Sequence, residues 1–484
     1  MGKRFRRGRR VRLWYYGAGM TLILAAFAWR YPLAGHSRQL ADIGTLSGYS
    51  PAAFAGYVGG MTGLFALYLV AWRASLALPR RRAAVAVFAG GAAMVVAMGA
   101  MYPVSAIDLL IYAVRSRLFT AYGVDPIAVT PNSYPGDPLL RFASAEWADD
   151  VSPYGPLWNL IAAPATWLAG DRIGVALVAF KVLAGVSVVL GAWLIYRIVA
   201  VDRPERAATG ALLYLWNPLV LWEGVGNGHN DVVLVVPVLL ALLAWKRRRD
   251  RWVIPLLVVA ALIKYVTVLL VPIAAVALWR RGGPAVRKAE LLASSLGLSL
   301  AAVLIGLAPF YDLAAIGRSV GRQGDIFLTS PAAVVLDLLG RQGDPDGVRG
   351  AVKVLGVAIL AACMLRQMGR VWQVPERLPQ AGFEVMFVYV LAASWVFRSW
   401  YLIWLVALAA VLVGSWPVVR TIAWAAGAMA GYALFIWGWH WWRVDFPTIQ
   451  RAAVGLMFGP VLVITCARFV PLCVRRWRAG FSRL

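Results

Sequence analysis

The sequence predicts an all-α polytopic membrane protein. Of its 484 residues, 61% are hydrophobic, and the mean hydropathy is +0.71, whereas a soluble domain is nearer half apolar. Apolar runs of about 20 residues, the length that one helix needs to cross a bilayer, recur along the whole chain. We predict about 12–14 transmembrane helices, several of them short.

We treat residues 1–484 as a single integral membrane domain, because apolar runs continue from one end of the chain to the other with short breaks. Long polar stretches interrupt them twice. The predicted parts are N-terminal spans at 1–104, an exterior loop at 105–171, central spans at 172–310, a second exterior loop at 311–350 and C-terminal spans at 351–484.

The net charge of +26 is unevenly distributed along the chain, and this distribution predicts the side of the membrane on which each part lies. Lysines and arginines gather in clusters between apolar runs, and these clusters are Lys3–Arg12, Arg80–Arg82, Lys246–Arg251, Arg280–Lys288 and Arg475–Arg483. Positive residues accumulate on the cytoplasmic face of membrane proteins, where they also meet anionic lipids. We therefore place both termini in the cytoplasm and the polar loops outside, and we predict no nucleic-acid partner.

Two short helices are predicted in the first exterior loop. Residues 107–122 have apolar positions at helical spacing with arginines between them, which is typical of a helix lying at the membrane interface. Residues 157–169 are apolar but too short to cross with certainty, so we interpret them as a second interfacial or re-entrant helix.

Asp108 is the first candidate for a catalytic role. It follows the third predicted span at its exterior end and begins the 107–122 helix. A carboxylate in that position could accept a proton from an incoming hydroxyl group. It could equally serve as an N-cap, since aspartate is favoured at helix starts.

Further polar and aromatic candidates lie near the exterior ends of spans. Tyr154 belongs to a turn rich in proline and aromatic residues, which suits sugar binding and also membrane-interface anchoring. His229, Asn230 and Asp231 stand where a span begins, and Asn230 or Asp231 could simply cap it. Lys264 could bind a phosphate group or extend its amine to the interface, as could Arg398 and, more weakly, Arg318 and Arg322 of the second loop.

Cofactor signatures are absent from the sequence. There is no Walker A motif, Rossmann glycine pattern or GxSxG motif. The three histidines His36, His229 and His440 lie far apart, so we predict no metal site. Cys363, Cys466 and Cys473 all lie in apolar runs and predict no disulfide framework. The cytoplasmic loops are short, so any chemistry is expected outside, on substrates that arrive through or along the membrane.

A set of ordered motifs gives the chain a family resemblance. The motifs are Ser105-Ala106-Ile107-Asp108 with Tyr112, Gly123-Val124-Asp125-Pro126, Ser152-Pro153-Tyr154-Gly155-Pro156-Leu157-Trp158, Trp216-Asn217-Pro218, Gly228-His229-Asn230-Asp231, Lys264-Tyr265 and Trp400-Tyr401-Leu402-Ile403-Trp404. Together they resemble the GT-C superfamily of polytopic glycosyltransferases, and most closely the bacterial polyprenol-phosphate-mannose-dependent α-mannosyltransferases.

The resemblance implies an enzyme of the bacterial inner membrane with its active site on the exterior face. It implies inverting transfer of a sugar, mannose above others, from a polyprenyl-phosphate-linked donor to a glycan or glycolipid acceptor. Asp108 would be the general base, and Lys264, Arg398 or a loop arginine would stabilise the leaving phosphate. Tyr154, His229, Asn230, Asp231, Trp400 and Tyr401 would contribute to substrate binding. No cofactor is implied.

Two other classes of function fit the composition. A transporter or flippase of lipid-linked sugars would also need many spans and polar groups at membrane depth. The chain shows no repeated halves, and its polar residues gather towards one face, which favours the enzyme. A non-catalytic assembly subunit is the third alternative, and in such a protein Asp108 would be replaceable.

Overall fold

The computed structural model describes residues 2–36, 43–310, 312–340 and 344–467, and the described chain is helical without a β-strand. Cys473 and the basic cluster Arg475–Arg483 lie outside the described residues. The N-terminal helices are α1 (Gly2–Arg30), α2 (Leu33–His36), α3 (Ile43–Ser47), α4 (Pro51–Ser75), α5 (Arg80–Gly99), α6 (Asp108–Tyr122), α7 (Ala145–Ala148) and α8 (Pro156–Ala169).

The central and C-terminal helices complete the bundle. They are α9 (Ile173–Asp202), α10 (Ala207–Leu215), α11 (Asp231–Lys246), α12 (Val253–Ile263), α13 (Val271–Arg281), α14 (Ala285–Leu307), α15 (Leu313–Gln323), α16 (Pro331–Gly340), α17 (Pro345–Gln373), α18 (Leu378–Val388), α19 (Leu402–Val411), α20 (Trp416–His440) and α21 (Phe446–Ala467). Short 3-10 helices cover Pro131–Ser133, Leu140–Phe142, Pro204–Arg206, Asp250–Trp252, Tyr265–Leu270, Pro375–Arg377 and Ser399–Tyr401, and π-helical turns cover Val220–Gly226 and Tyr389–Ala393.

The fold confirms the prediction of an all-α polytopic membrane protein. Among the described residues, seven helices are long and apolar enough to cross a bilayer, namely α4, α5, α9, α14, α17, α20 and α21. An eighth span results if the π-helical turn Val220–Gly226 and α11, which meet at a bend of 113°, are taken together. The predicted number of 12–14 is larger because it includes short segments such as α12 and α13, which a 3-10 turn interrupts.

The surface of the bundle is apolar where a membrane would contact it. The outer helices α14 and α17 expose large aliphatic side chains, among them Leu296 at 70%, Leu304 at 60% and Val354 at 71%. So extensive an apolar surface is rare on soluble proteins but normal for helices that face lipid. In the interior, α10 and α19 are almost entirely buried. Trp216, directly after α10, and Trp222, in the π-helical turn Val220–Gly226, are wholly enclosed.

The two helices predicted in the first long loop are present. α6 begins at Asp108 and ends where Gly123 adopts the left-handed conformation, with φ of 68°, a standard way to end a helix. α8 begins at Pro156 and packs against α6. Most of α6 is buried, so it forms one wall of the interior instead of lying flat on a surface.

The basic clusters and the polar candidates lie at opposite ends of the same helices. α5 begins at Arg80, and its far end leads through a short turn to Asp108. α11 runs from Asp231 to the basic Lys246, and α12 runs back from that cluster to Lys264. Three separate parts of the sequence therefore bring charged side chains to one end of the bundle, which we call the cavity end.

Candidate active site

A cavity of about 720 Å³ lies at the cavity end of the bundle. Its walls come from the start of α6, the turn before α8, and the two segments 324–329 and 393–401. Six of the nine residues predicted for the site line this cavity, and they are Asp108, Tyr154, Lys264, Arg398, Trp400 and Tyr401. Residues from distant parts of the sequence thus meet around one space large enough for a sugar and its phosphate.

Asp108 presents its carboxylate to the cavity with 20% of the side chain exposed. Tyr154 Oη donates a hydrogen bond of 3.0 Å to one carboxylate oxygen. The alternative role as N-cap is not what the structure shows, because Ile107 occupies the cap position and Asp108 is already the first helical residue.

Tyr154 is held in place by the glycine that follows it. Gly155 N donates a 3.0 Å hydrogen bond to Ile263 O at the end of α12, and a Cβ atom at Gly155 would lie 2.1 Å from Leu262 O. Only glycine therefore allows this turn to approach α12 so closely. Burial and the neighbouring Asp108 carboxylate raise the pKa of Tyr154 well above its ordinary value, so the phenol remains a hydrogen-bond donor.

Lys264 forms a buried ion pair with Asp231 at the break between α12 and the following 3-10 turn. Its Nζ lies 2.9 Å from Asp231 Oδ1, which also accepts a 2.6 Å hydrogen bond from Trp404 Nε1. The amine also lies over the rings of Tyr401 and Trp404, at 5.1 and 5.3 Å from their centroids. Because Asp231 is fully buried, this lysine already neutralises a carboxylate that has no access to water.

His229, Asn230 and Asp231 lie behind the cavity wall. All three side chains are at most 1% exposed, and the His229 ring stacks on Trp400 with the centroids 3.9 Å apart. They are absent from the cavity lining, unlike Trp400 itself. Direct contact of these three residues with a sugar stays a prediction, and their position makes them supports of the cavity wall in this conformation.

Arg398 is a cation of the cavity wall without a counter-charge. Its guanidinium lies 5.7 Å from the centre of the Trp400 ring, and within the described parts of the chain no carboxylate comes within 4.0 Å of it. The loop arginines differ, since Arg318 pairs with Asp312 and Arg322 with Asp150, both at 3.2 Å. Arg398 is therefore better placed than these arginines or Lys264 to receive an anion.

Sequence reasoning missed two charged residues at the site. Glu223 is 1% exposed and accepts hydrogen bonds from Ser399 Oγ at 2.6 Å and Asn227 Nδ2 at 2.7 Å. Its position inside an otherwise apolar segment was the available signal, since such residues are usually functional. Arg115, two turns after Asp108, lines the cavity while 3% exposed and donates to backbone oxygens of Trp147 and Asp150.

The sequence profile of one protein family matches the chain over residues 14–280, which is more than half of its length. The family is described as alpha-(1->6)-mannopyranosyltransferase, N-terminal domain. The chain belongs to this mannopyranosyltransferase family. Membership confirms the resemblance to GT-C mannosyltransferases. The matched region contains Asp108, Tyr154 and Lys264, whereas Arg398 and Trp400 lie beyond it.

Individual relatives agree with the family assignment. Alpha-(1->6)-mannopyranosyltransferase A of Mycobacterium tuberculosis is 26% identical over 66% of this chain and 64% of its own length. The protein of that name from Corynebacterium glutamicum is 27% identical over 37% of this chain and 36% of its own. Alpha-(1->6)-mannopyranosyltransferase B of that organism is 30% identical over 30% and 24%. The chain thus spans less than two thirds of each of these curated relatives.

Proposed function

We propose that this member of the mannopyranosyltransferase family transfers mannose from a polyprenyl-phosphate-linked donor to a hydroxyl group of a glycan or glycolipid acceptor. The observation that carries the proposal is the Asp108 carboxylate, which lines the same cavity as Arg398, a cation with no ion pair among the described residues. A base and a cation in one cavity are what the two halves of a sugar transfer require. The activity named for the family relatives supports the choice of sugar.

The proposed reaction is a single displacement with inversion at the anomeric carbon. Asp108 takes the proton of the acceptor hydroxyl as its oxygen attacks the anomeric carbon of the donor. The bond between that carbon and the phosphate oxygen breaks, and the lipid phosphate leaves with the electron pair. Tyr154 holds the Asp108 carboxylate in position, and Trp400 and Tyr401 present aromatic faces to the sugar.

The cavity wall also offers a surface for the lipid part of the donor. Beyond Arg398, the lining consists of apolar and aromatic side chains of α20 and α21, namely Tyr432, Phe435, Ile436 and Met457. A polyprenyl chain along these helices would place its phosphate near the guanidinium. The arrangement supports a donor that enters from the membrane.

Replacing Arg398 by glutamine is expected to lower the rate of transfer by a factor of about 10²–10³, as loss of one preorganised donor to a developing negative charge typically does. Arg398→Lys should recover part of the lost transfer rate, because lysine keeps the positive charge but lacks the planar guanidinium group. Rates would be measured with purified protein and a polyprenyl-phosphate mannose donor. Arg141→Gln, an exposed arginine outside the cavity, is the control. Equal rates for Arg398→Gln and the control would remove Arg398 from the mechanism.

We further propose that residues 1–484 form one membrane domain of the bacterial plasma membrane, with both termini in the cytoplasm and the cavity outside. The separation of basic clusters from the cavity end supports this orientation, since positive residues favour the cytoplasmic face. A cysteine introduced at Asn132, in the loop near the cavity, should react with a membrane-impermeant thiol reagent in intact cells. Labelling only after the cells are opened would reverse the orientation.

The function itself is tested by incubating purified protein in detergent or lipid with polyprenyl-phosphate sugars and short glycan acceptors. Extension of an acceptor with mannose is the expected result, with other donor sugars as the comparison. Movement of lipid-linked sugar across vesicles without any transfer would refute the enzyme and leave the transporter. A folded protein that shows neither transfer nor transport would support the third alternative, a non-catalytic assembly subunit.

A further inference from the structure

The ring of His229 lies between two carboxylates. Its Nδ1 is 4.0 Å from Asp108 Oδ1, and its Nε2 is 3.3 Å from Glu223 Oε2. The imidazole is fully buried, and within the described chain neither ring nitrogen makes a hydrogen bond of good geometry. A buried polar ring with both nitrogens directed at charged groups but not yet bonded to them is uncommon in a resting protein.

Glu223, on the side of the His229 ring opposite Asp108, is fixed by further hydrogen bonds. Ser399 Oγ donates to Glu223 Oε1 and Asn227 Nδ2 donates to Glu223 Oε2, so the carboxylate has a defined orientation. Asn227 also bonds Ser105, three residues before Asp108, through the Ser105 backbone N at 3.1 Å. The stacking of His229 on Trp400 fixes the plane of the ring. Glu223 is thus connected to Ser399 of the cavity wall directly and to Ser105, at the start of the segment that leads to Asp108, through Asn227.

The arrangement of Glu223, His229 and Asp108 can orient the Asp108 carboxylate. The carboxylates of Asp108 and Glu223 lie on opposite sides of one imidazole, and each faces a different ring nitrogen that can donate a hydrogen bond when it carries a proton. Contact with the His229 ring would hold the Asp108 carboxylate at one angle towards the acceptor hydroxyl. Glu223 in turn can hold the ring in one orientation, as the buried carboxylate of a catalytic triad does for its histidine.

We propose that Glu223 and His229 form a buried positioning pair that holds the Asp108 carboxylate aligned towards the acceptor hydroxyl. The proposal rests on the proposed transferase function and deepens it. Neither residue touches substrate. In the reaction the acceptor proton passes to Asp108, the acceptor oxygen bonds to the anomeric carbon, and the phosphate takes the electron pair. The pair gains and loses no atoms.

The test uses Glu223→Gln in the full-length protein, because this change keeps the shape and removes the charge. We expect the kcat for mannose transfer to fall about 10–100-fold, the typical cost of losing a partner behind a reacting group. The KM for the donor should stay within a factor of about two, since binding contacts are unchanged. His229→Gln should show the same split between kcat and KM.

Two comparisons separate positioning from general structural damage. Glu384→Gln removes another carboxylate, which is half-buried and pairs with Arg420 at 2.6 Å between α18 and α20, away from the cavity. Per folded molecule, this control should keep its kcat. The kcat of the double variant Glu223→Gln/His229→Gln should be no lower than that of the less active single variant. The reason is that the effects of residues that act as a unit are not additive.

The outcomes are distinct. Kinetic values for Glu223→Gln that match those of Glu384→Gln would overturn the positioning pair while leaving the transferase intact. Multiplying losses in the double variant, or a rise in donor KM that accounts for the whole effect, would also overturn it. A wild-type protein that folds but transfers no sugar would overturn the proposed function and the pair together.

Discussion

Replacing Asp108 by asparagine is expected to lower the kcat for mannose transfer by a factor of about 10²–10⁴, the usual contribution of a general base. Asparagine keeps the size of the side chain and an oxygen that can accept the Tyr154 hydrogen bond of 3.0 Å. It cannot take the acceptor proton. The loss should therefore appear in kcat, while the donor continues to bind, since Arg398 and the aromatic wall remain.

The measurement combines transfer rates with donor binding for wild type and Asp108→Asn in the same lipid environment. Asp137→Asn provides a matched control, because Asp137 lies in the same loop region but pairs with Arg117 at 2.5 Å outside the cavity. Its kcat should stay close to that of wild type. A fully active Asp108→Asn protein would exclude Asp108 as the base, and loss of donor binding would give Asp108 a binding role instead.

Replacing Lys264 by methionine is expected to destabilise the protein by about 3–5 kcal/mol, the cost of leaving one member of a buried ion pair alone. Methionine has a similar length, but Asp231, which is fully buried, would lose the only cation within 4.0 Å in the described chain. The remaining contact from Trp404 Nε1 cannot balance the charge. A clear fall in the thermal unfolding temperature in detergent is the readout.

The double variant Asp231→Asn/Lys264→Met tests the reason for that loss. If an unpaired buried carboxylate causes it, removing the charge of Asp231 should restore much of the stability. Lys353→Met is the control, because Lys353 pairs with Asp325 on an exposed surface and should hardly change the unfolding temperature. Equal stability of the Lys264→Met protein and wild type would show that Asp231 is not charged in the folded protein.

Local sequence patterns predicted much of the architecture. The spacing of apolar residues was enough for α6 and α8, because a helix is determined by neighbours three and four positions apart. It was less successful in counting spans, because short apolar segments such as α12 and α13 were counted as separate spans and the break at Tyr389–Ala393 was not recognised. Such breaks depend on packing around polar groups, which apolar periodicity does not record.

The sequence by itself determined the membrane class, the clustering of basic residues and the family, which follow from composition, local spacing and ordered motifs, and it singled out Asp108 as the candidate base. Only the tertiary structure decided which charges are already neutralised. Asp231 and Lys264 are 33 positions apart, and Glu223 and Ser399 are 176 apart. Pairs this distant in sequence are created by helix packing. Only the tertiary structure therefore shows that Lys264 pairs with Asp231, that Arg398 has no carboxylate within 4.0 Å among the described residues, and that Glu223 lies against His229.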